Sequence, residues 1–135
     1  MTGRAMTAVT SIVLAALIGG CAHDSAAETE YRGVPDGFEI DPLNEAPAGV
    51  WLERGRIFAI VTMGSSSCPP IAKSVTANSH QGLTVVFGQS PNDPCTADMA
   101  PTTHEFDLPD DVSGYPVTVE IVYEGWAQRS TITLD

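Results

Sequence analysis

The most specific chemistry in this sequence lies in its three cysteines, Cys21, Cys68 and Cys95. Cys68 and Cys95 have no C-x-x-C partner, as a redox motif would require, and no basic residue adjoins either one to make its thiol reactive. If Cys21 has a separate use, an even pair remains. This arithmetic predicts a disulfide between Cys68 and Cys95 and therefore a compartment outside the reducing cytoplasm.

Cys21 stands directly after a short apolar leader. The eleven residues 8–18 are nearly all apolar and follow a single positive side chain, Arg4. This run is too short for a membrane-spanning helix, which needs about 20 residues, and is typical of a secretory signal peptide. The stretch Leu17 to Cys21, LIGGC, resembles the bacterial lipobox. The resemblance implies cleavage before Cys21, lipidation of its thiol and a lipid-anchored protein at the extracytoplasmic face of the cell membrane.

A second cleavage site competes with the lipobox. Ser25-Ala26-Ala27 is similar to the A-x-A pattern of ordinary signal peptides and would allow a cut before Glu28. That cut would discard Cys21 and release a soluble secreted protein.

Residues with catalytic potential form no complete motif. The stretch GSSSC at residues 64–68 resembles a nucleophile elbow only in part, because Cys68 stands where the motif needs glycine and two prolines follow it. We therefore assign no catalytic residue, no cofactor and no enzymatic activity. The alternative is a hydrolase whose site is assembled from distant residues, for example Ser66, His80 and Asp98.

No metal site is predicted either. The three histidines lack the spacing of metal ligands. Four carboxylates do concentrate around one turn, where oxygen ligands could hold calcium, but their spacing matches no EF-hand loop and a solvated turn is the simpler interpretation. These carboxylates belong to Glu105, Asp107, Asp110 and Asp111.

Charge narrows the range of partners. The chain has 17 acidic and 6 basic side chains, a net charge of −11. Removing residues 1–20 removes only Arg4 among these, which leaves 17 acidic and 5 basic side chains and a net charge of −12. Because this field repels phosphate backbones, we expect no nucleic-acid partner.

The chain divides into three predicted parts. Residues 1–20 form the signal peptide, and residues 21–48 form the lipidated cysteine and an acidic, proline-containing tether without a core of its own. Residues 49–135 show short apolar runs between turn residues, which predicts a β-rich domain. The run Ile57–Val61 is continuous and predicts a strand that is buried on both faces.

The C-terminal residues give the clearest pattern. Apolar side chains alternate from Val117 to Tyr123 and again in Ile132 and Leu134, with Gly125-Trp126 between them. We predict a hairpin with a two-residue type II′ turn at Gly125-Trp126, in which Val119 pairs with Ile132. About six or seven such strands predict a small antiparallel β-sandwich of the immunoglobulin-like kind, or a barrel, with one disulfide and a disordered tether before it.

The stretch 61–108 resembles a group of small uncharacterised lipoproteins of high-GC Gram-positive bacteria. The resemblance rests on GSSSCPP at residues 64–70 and CTADMAPTTHEFDLP at residues 95–109. It implies a disulfide-framed β domain and no particular reaction.

These features favour a non-enzymatic binding or interaction module that contacts an envelope protein, peptide or glycan. Trp126 is the candidate contact residue, because a tryptophan at a hairpin tip is typical of an interface anchor. The alternatives are the hydrolase above and an accessory subunit of a membrane complex.

Overall fold

The computed structural model of this chain describes residues 24–135. The predicted signal peptide and the lipidation of Cys21 fall on residues 1–23 and lie outside the described part. Residues 24–135 form an all-β fold of two four-stranded sheets, with strand orders β1-β6-β3-β2 and β4-β5-β7-β8. The strands are β1 (Thr29–Arg32), β2 (Ala48–Glu53), β3 (Ile57–Gly64), β4 (Ile71–Ser79), β5 (Gly82–Gly88), β6 (Ala100–Asp107), β7 (Val117–Tyr123) and β8 (Arg129–Leu134).

The two sheets enclose one apolar core, which confirms the predicted β-sandwich. Alternate residues of β3 and β6 point inward, so Phe58 and Phe106 stack with ring centroids 5.2 Å apart. The opposite sheet contributes the alternating residues of β5 and β7, including Phe87 and Ile121. Burying a side chain of this size stabilises the fold by about 1.5–3 kcal/mol, so the alternation itself specifies which face of each strand is inside.

One strand pair departs from the predicted antiparallel arrangement. Strand β7 pairs with β5 in parallel. The chain leaves this sheet after β5, runs through β6 in the opposite sheet and returns, so β7 enters beside β5 from the same end. All other strand pairs in the two sheets are antiparallel.

The predicted register of the C-terminal hairpin is confirmed, whereas the predicted turn is wrong. Val119 lies opposite Ile132, and Val122 lies opposite Arg129. The turn, however, is closed by a hydrogen bond from the Trp126 amide to the Tyr123 carbonyl, 3.1 Å long. Gly125, with φ of 79°, therefore occupies the second central position, as in a type II turn.

Residues 26–32, which fall within the predicted tether, are attached to the domain by main-chain hydrogen bonds. The Ala26 amide donates to the Ala72 carbonyl at 2.8 Å, and the Glu28 amide donates to the Glu105 carbonyl at 2.9 Å. Residues 29–32 then form β1 along the edge of β6. These bonds use the main chain, and β1 has only Tyr31 as a large apolar residue, so hydrophobic patterning gives little sign of it.

Residues 33–47 also lie on the domain. They cover the outer face of the sheet that contains β3, where Val61 is 1% exposed. The Thr103 hydroxyl donates to the Gly33 carbonyl at 2.7 Å, and Pro35 is buried. This cover explains why β3 is a continuous apolar run, and it confirms that the strand is buried on both faces.

Candidate functional site

A groove of about 450 Å³ lies between the edge strands β1 and β4, where β4 begins and β5 ends. Residues 25–28, which cross from one sheet to the other, form one wall together with β1. The loops after β3 and β5 form the opposite wall. The groove is lined by Ser25, Ala27, Glu28, Glu30, Pro69, Ile71, Ser90, Pro91 and Asn92.

The loop wall is held together by the predicted disulfide. Cys68 and Cys95 are bonded, with their Cα atoms 5.4 Å apart, which confirms the pairing. The Asn92 side-chain amide donates to the Ser67 carbonyl at 2.7 Å, and the Thr96 amide donates to the Ser67 hydroxyl at 2.9 Å. A ligand therefore meets a wall whose geometry is set before binding, which lowers the entropy cost of association.

Two members of the hypothetical hydrolase triple come together near this wall. The Ser66 amide donates to Asp98 Oδ1 at 3.1 Å. Hydrogen bonds from the Ser66 and Thr96 side chains, with the Ser66 amide, lower the pKa of Asp98 to about 2. Asp98 is therefore an ionised acceptor that orders the loop.

The third member, His80, lies elsewhere. It occupies the turn between β4 and β5, whereas Ser66 lies in the loop that leads into β4. The nine residues of β4 separate these two places by about 30 Å. The structure therefore does not assemble the Ser66, His80 and Asp98 triple.

A line of polar side chains runs instead from the groove into the core. His104 Nε2 lies 3.0 Å from the Thr62 hydroxyl, and His104 Nδ1 lies 3.2 Å from Glu30 Oε2. Carboxylate, imidazole and hydroxyl follow in the order of a nucleophilic triad. However, Thr62 and His104 are both 0% exposed, so no substrate carbonyl can reach the hydroxyl while the sheet is closed.

The burial of His104 determines its charge. Burial lowers its pKa from 6.5 to about 4, so the imidazole is neutral near pH 7. The Phe87 ring packs edge-on against it with centroids 4.9 Å apart. Although Nδ1 is close to Glu30, the contact does not have hydrogen-bond geometry, and the buried Nδ1 atom has no hydrogen-bond partner among residues 24–135. Glu30 itself is partly exposed and lines the groove.

The sequence alone did not predict the contacts among Glu30, His104 and Thr62, because these residues are distant in the chain. Register brings them together: Glu30 lies opposite His104 in the β1–β6 pair, and Thr62 lies opposite Thr102 in the β3–β6 pair. The one available signal was His104 itself, since a histidine that alternates with Thr102 and Phe106 on the inward face of a strand indicates a buried polar contact.

Trp126 is 68% exposed, as expected for a residue at a turn. Its ring lies 6.4 Å from that of Tyr123, measured between centroids. Because β7 runs parallel to β5, this turn lies at the end of the sandwich where the groove opens, although β5 and β7 separate it from β4.

The four carboxylates of the acidic turn form no metal site. Within residues 24–135, no three His, Cys, Asp or Glu side chains come together as metal ligands would. In the same part of the chain, no helix is long and apolar enough to cross a membrane. Comparisons with family models, curated proteins and solved structures find no match to this chain.

Proposed function

We propose that this protein is a lipoprotein of the bacterial cell envelope that acts as a non-enzymatic binding module, with the groove between β1 and β4 as its ligand site. The anchor is Cys21, as the LIGGC stretch implies. The observation that carries the proposal is the groove itself. One of its walls is fixed by the Cys68–Cys95 disulfide, and the other wall begins at Ser25, four residues after the anchor.

The distance between anchor and groove follows from chain length. Cys21 and Ser25 are four residues apart, and four residues span at most about 14 Å when fully extended. Because Ser25 lines the groove, a lipid on Cys21 keeps the groove close to the membrane surface. This arrangement favours a partner that is itself at the membrane surface over one in the outer layers of the envelope.

A hydrolase is the weaker proposal on this geometry. The hydroxyl of the Glu30–His104–Thr62 line is closed inside the sandwich, and Ser66 has Asp98 but not His80 beside it. A partly apolar groove with one wall held by a disulfide is typical of a binding site.

The anchor is tested by intact-mass analysis of membrane-extracted protein. We expect a chain that begins at Cys21 and carries a diacylglyceryl group, and we expect Cys21→Ser to remove the protein from the membrane fraction. A soluble product beginning at Glu28 would contradict the anchor. It would also lack Ser25, Ala26 and Ala27, and therefore part of the groove wall.

The groove is tested by photo-cross-linking in cells. A photoreactive amino acid at Asn92 lies in the groove, and one at Asp111 lies in the loop between β6 and β7, at the opposite end of the sandwich. We expect a discrete adduct from position 92 that is missing from position 111 and from the Cys21→Ser chain. Identical adducts from both positions, or none from position 92, would contradict the groove as ligand site.

A further inference from the structure

The wall of the groove next to β1 carries two carboxylates on one side of the chain. Glu30 lies opposite the inward-pointing His104, so its side chain is on the inner side of β1. Glu28 is two residues earlier and its amide is bonded to the Glu105 carbonyl, so it continues the same extended register. Among the lining residues that the structure describes, all within 24–135, there is no lysine or arginine.

The facing wall is partly apolar. Pro69, Ile71 and Pro91 lie across from the two glutamates. A wall of this kind fits an alkyl chain, and the carboxylates fit a positive charge at its end. Lysine combines the two, since its methylene stem packs on apolar surface while its ammonium group stays among polar atoms.

The buried imidazole behind Glu30 is a second and independent feature. His104 is 0% exposed, and its buried Nδ1 atom faces the Glu30 carboxylate but has no hydrogen-bond partner within the described part of the chain. Interior strand positions are normally apolar, and a buried polar atom without a partner costs about 1–3 kcal/mol. Since the imidazole is neutral near pH 7, it adds no positive charge to this wall.

We infer that the groove binds a peptide through a lysine side chain, with the stem against Pro69 and Ile71 and the ammonium group at the carboxylates of Glu28 and Glu30. The inference rests on the proposed function, whose ligand site it assigns to a chemical class. The net charge of the chain without residues 1–20, which is −12 (17 acidic, 5 basic side chains), attracts cations to the protein as a whole.

Inward-pointing charges have another use, which is to protect an exposed edge strand from pairing with other chains. That role explains Glu28 and Glu30 without any ligand. It predicts that a lysine peptide does not bind, so one experiment separates the two interpretations.

The experiment uses the lipid-anchored full chain in detergent micelles and the peptide acetyl-Gly-Lys-Gly-amide. Binding is followed in ¹H–¹⁵N spectra, with the same peptide carrying norleucine in place of lysine as the neutral isostere. We expect saturable shifts at Ala27, Ile71 and Ser90 with the lysine peptide only. The double variant Glu28→Gln/Glu30→Gln should weaken binding at least tenfold. The control variant Asp110→Asn/Asp111→Asn changes an exposed carboxylate pair at the other end of the sandwich and should leave binding unchanged.

Each other outcome overturns the inference in a recognisable way. Equal binding of the norleucine peptide would make the groove an apolar site, and equal weakening by both double variants would reduce the effect to net charge. No binding of either peptide, with the cross-link from position 92 intact, would leave the groove a ligand site for another class. If the double variant does not fold, Glu28→Gln alone, away from the contact with His104, should still weaken lysine binding several-fold.

Discussion

The C-terminal hairpin and the N-terminal strand β1 are held to the same sandwich by different forces. In the hairpin, Val117, Val119, Ile121 and Leu134 point into the core and are at most 2% exposed. Strand β1 contributes only four residues and has no member in the buried core cluster. It is attached by main-chain hydrogen bonds to β6 and by the contact of Glu30 with His104.

The difference separates stability from function. Apolar alternation supplies most of the folding energy and specifies the hairpin, whose Trp126 does not line the groove. The polar attachment of β1 contributes less to the free energy of folding. At this edge of the sandwich the groove lies between β1 of one sheet and β4 of the other.

The largest expected effect comes from the disulfide that holds the groove wall. Cys68→Ser/Cys95→Ser should lower the free energy of unfolding by about 3.6 kcal/mol, because the bond closes a loop with a sequence separation of 27 residues. Urea unfolding measures the change. Reductant should produce the same loss in the wild type and none in the variant; a variant as stable as the wild type would show that the bond contributes nothing.

The burial of His104 should make stability depend on pH. The folded-state pKa of His104 is lowered to about 4 from 6.5, so between these values the unfolded chain binds a proton that the folded chain does not. Stability is therefore complete above pH 6.5 and falls as the pH decreases towards 4, by up to about 3 kcal/mol at about 1.4 kcal/mol per pKa unit.

Urea unfolding at pH 4.5, inside this range, and at pH 7, above it, measures the loss in the wild type and in His104→Gln. The glutamine keeps a donor for Thr62 but does not titrate, so its stability should fall less on acidification. Equal losses in the two proteins would show that His104 is not the responsible group.

The hairpin is tested by one inward and one outward substitution on the same strand. Val119→Ala should cost about 1–3 kcal/mol, because Val119 is 0% exposed and its loss leaves a cavity. Thr118→Ala, on the exposed side of β7, is the matched control and should change stability by less than about 0.5 kcal/mol. Similar costs at both positions would contradict the assigned inner face.

The smallest expected effect is at the tip. Trp126→Ala should change the free energy of unfolding by no more than about 0.5 kcal/mol, because the side chain is 68% exposed and contacts mainly Tyr123. Thermal unfolding measures the change, and the cross-link from position 92 measures any role in partner capture. A stability loss above 2 kcal/mol would make Trp126 a core residue and remove it as a contact candidate.

Sequence predicted the parts of this molecule that depend on apolar alternation and on cysteine count. The hairpin register, the double burial of Ile57–Val61 and the Cys68–Cys95 bond follow from local patterns. The turn type was wrong because Gly125 fits either central position of a turn, depending on which neighbour closes it.

The groove was not predictable for a physical reason. Its two walls come from residues 25–30 and from the loops after β3 and β5, and only the strand pairing brings them together. Main-chain hydrogen bonds are available to almost every residue type, so the bonds that attach β1 leave little trace in the sequence. The position of His104 between Thr62 and Glu30 likewise depends on register across three strands.

The most direct test of this account is amide hydrogen exchange of the lipid-anchored chain. Three amides in residues 26–33 donate hydrogen bonds to the rest of the domain: Ala26 to the Ala72 carbonyl, Glu28 to the Glu105 carbonyl and Gly33 to the Pro101 carbonyl. If these residues form a wall of the groove, all three amides should be protected from exchange as strand amides are. Exchange of all three amides at the rate of an unstructured peptide would contradict the account, since this segment would then be a flexible tether and the groove would have no second wall.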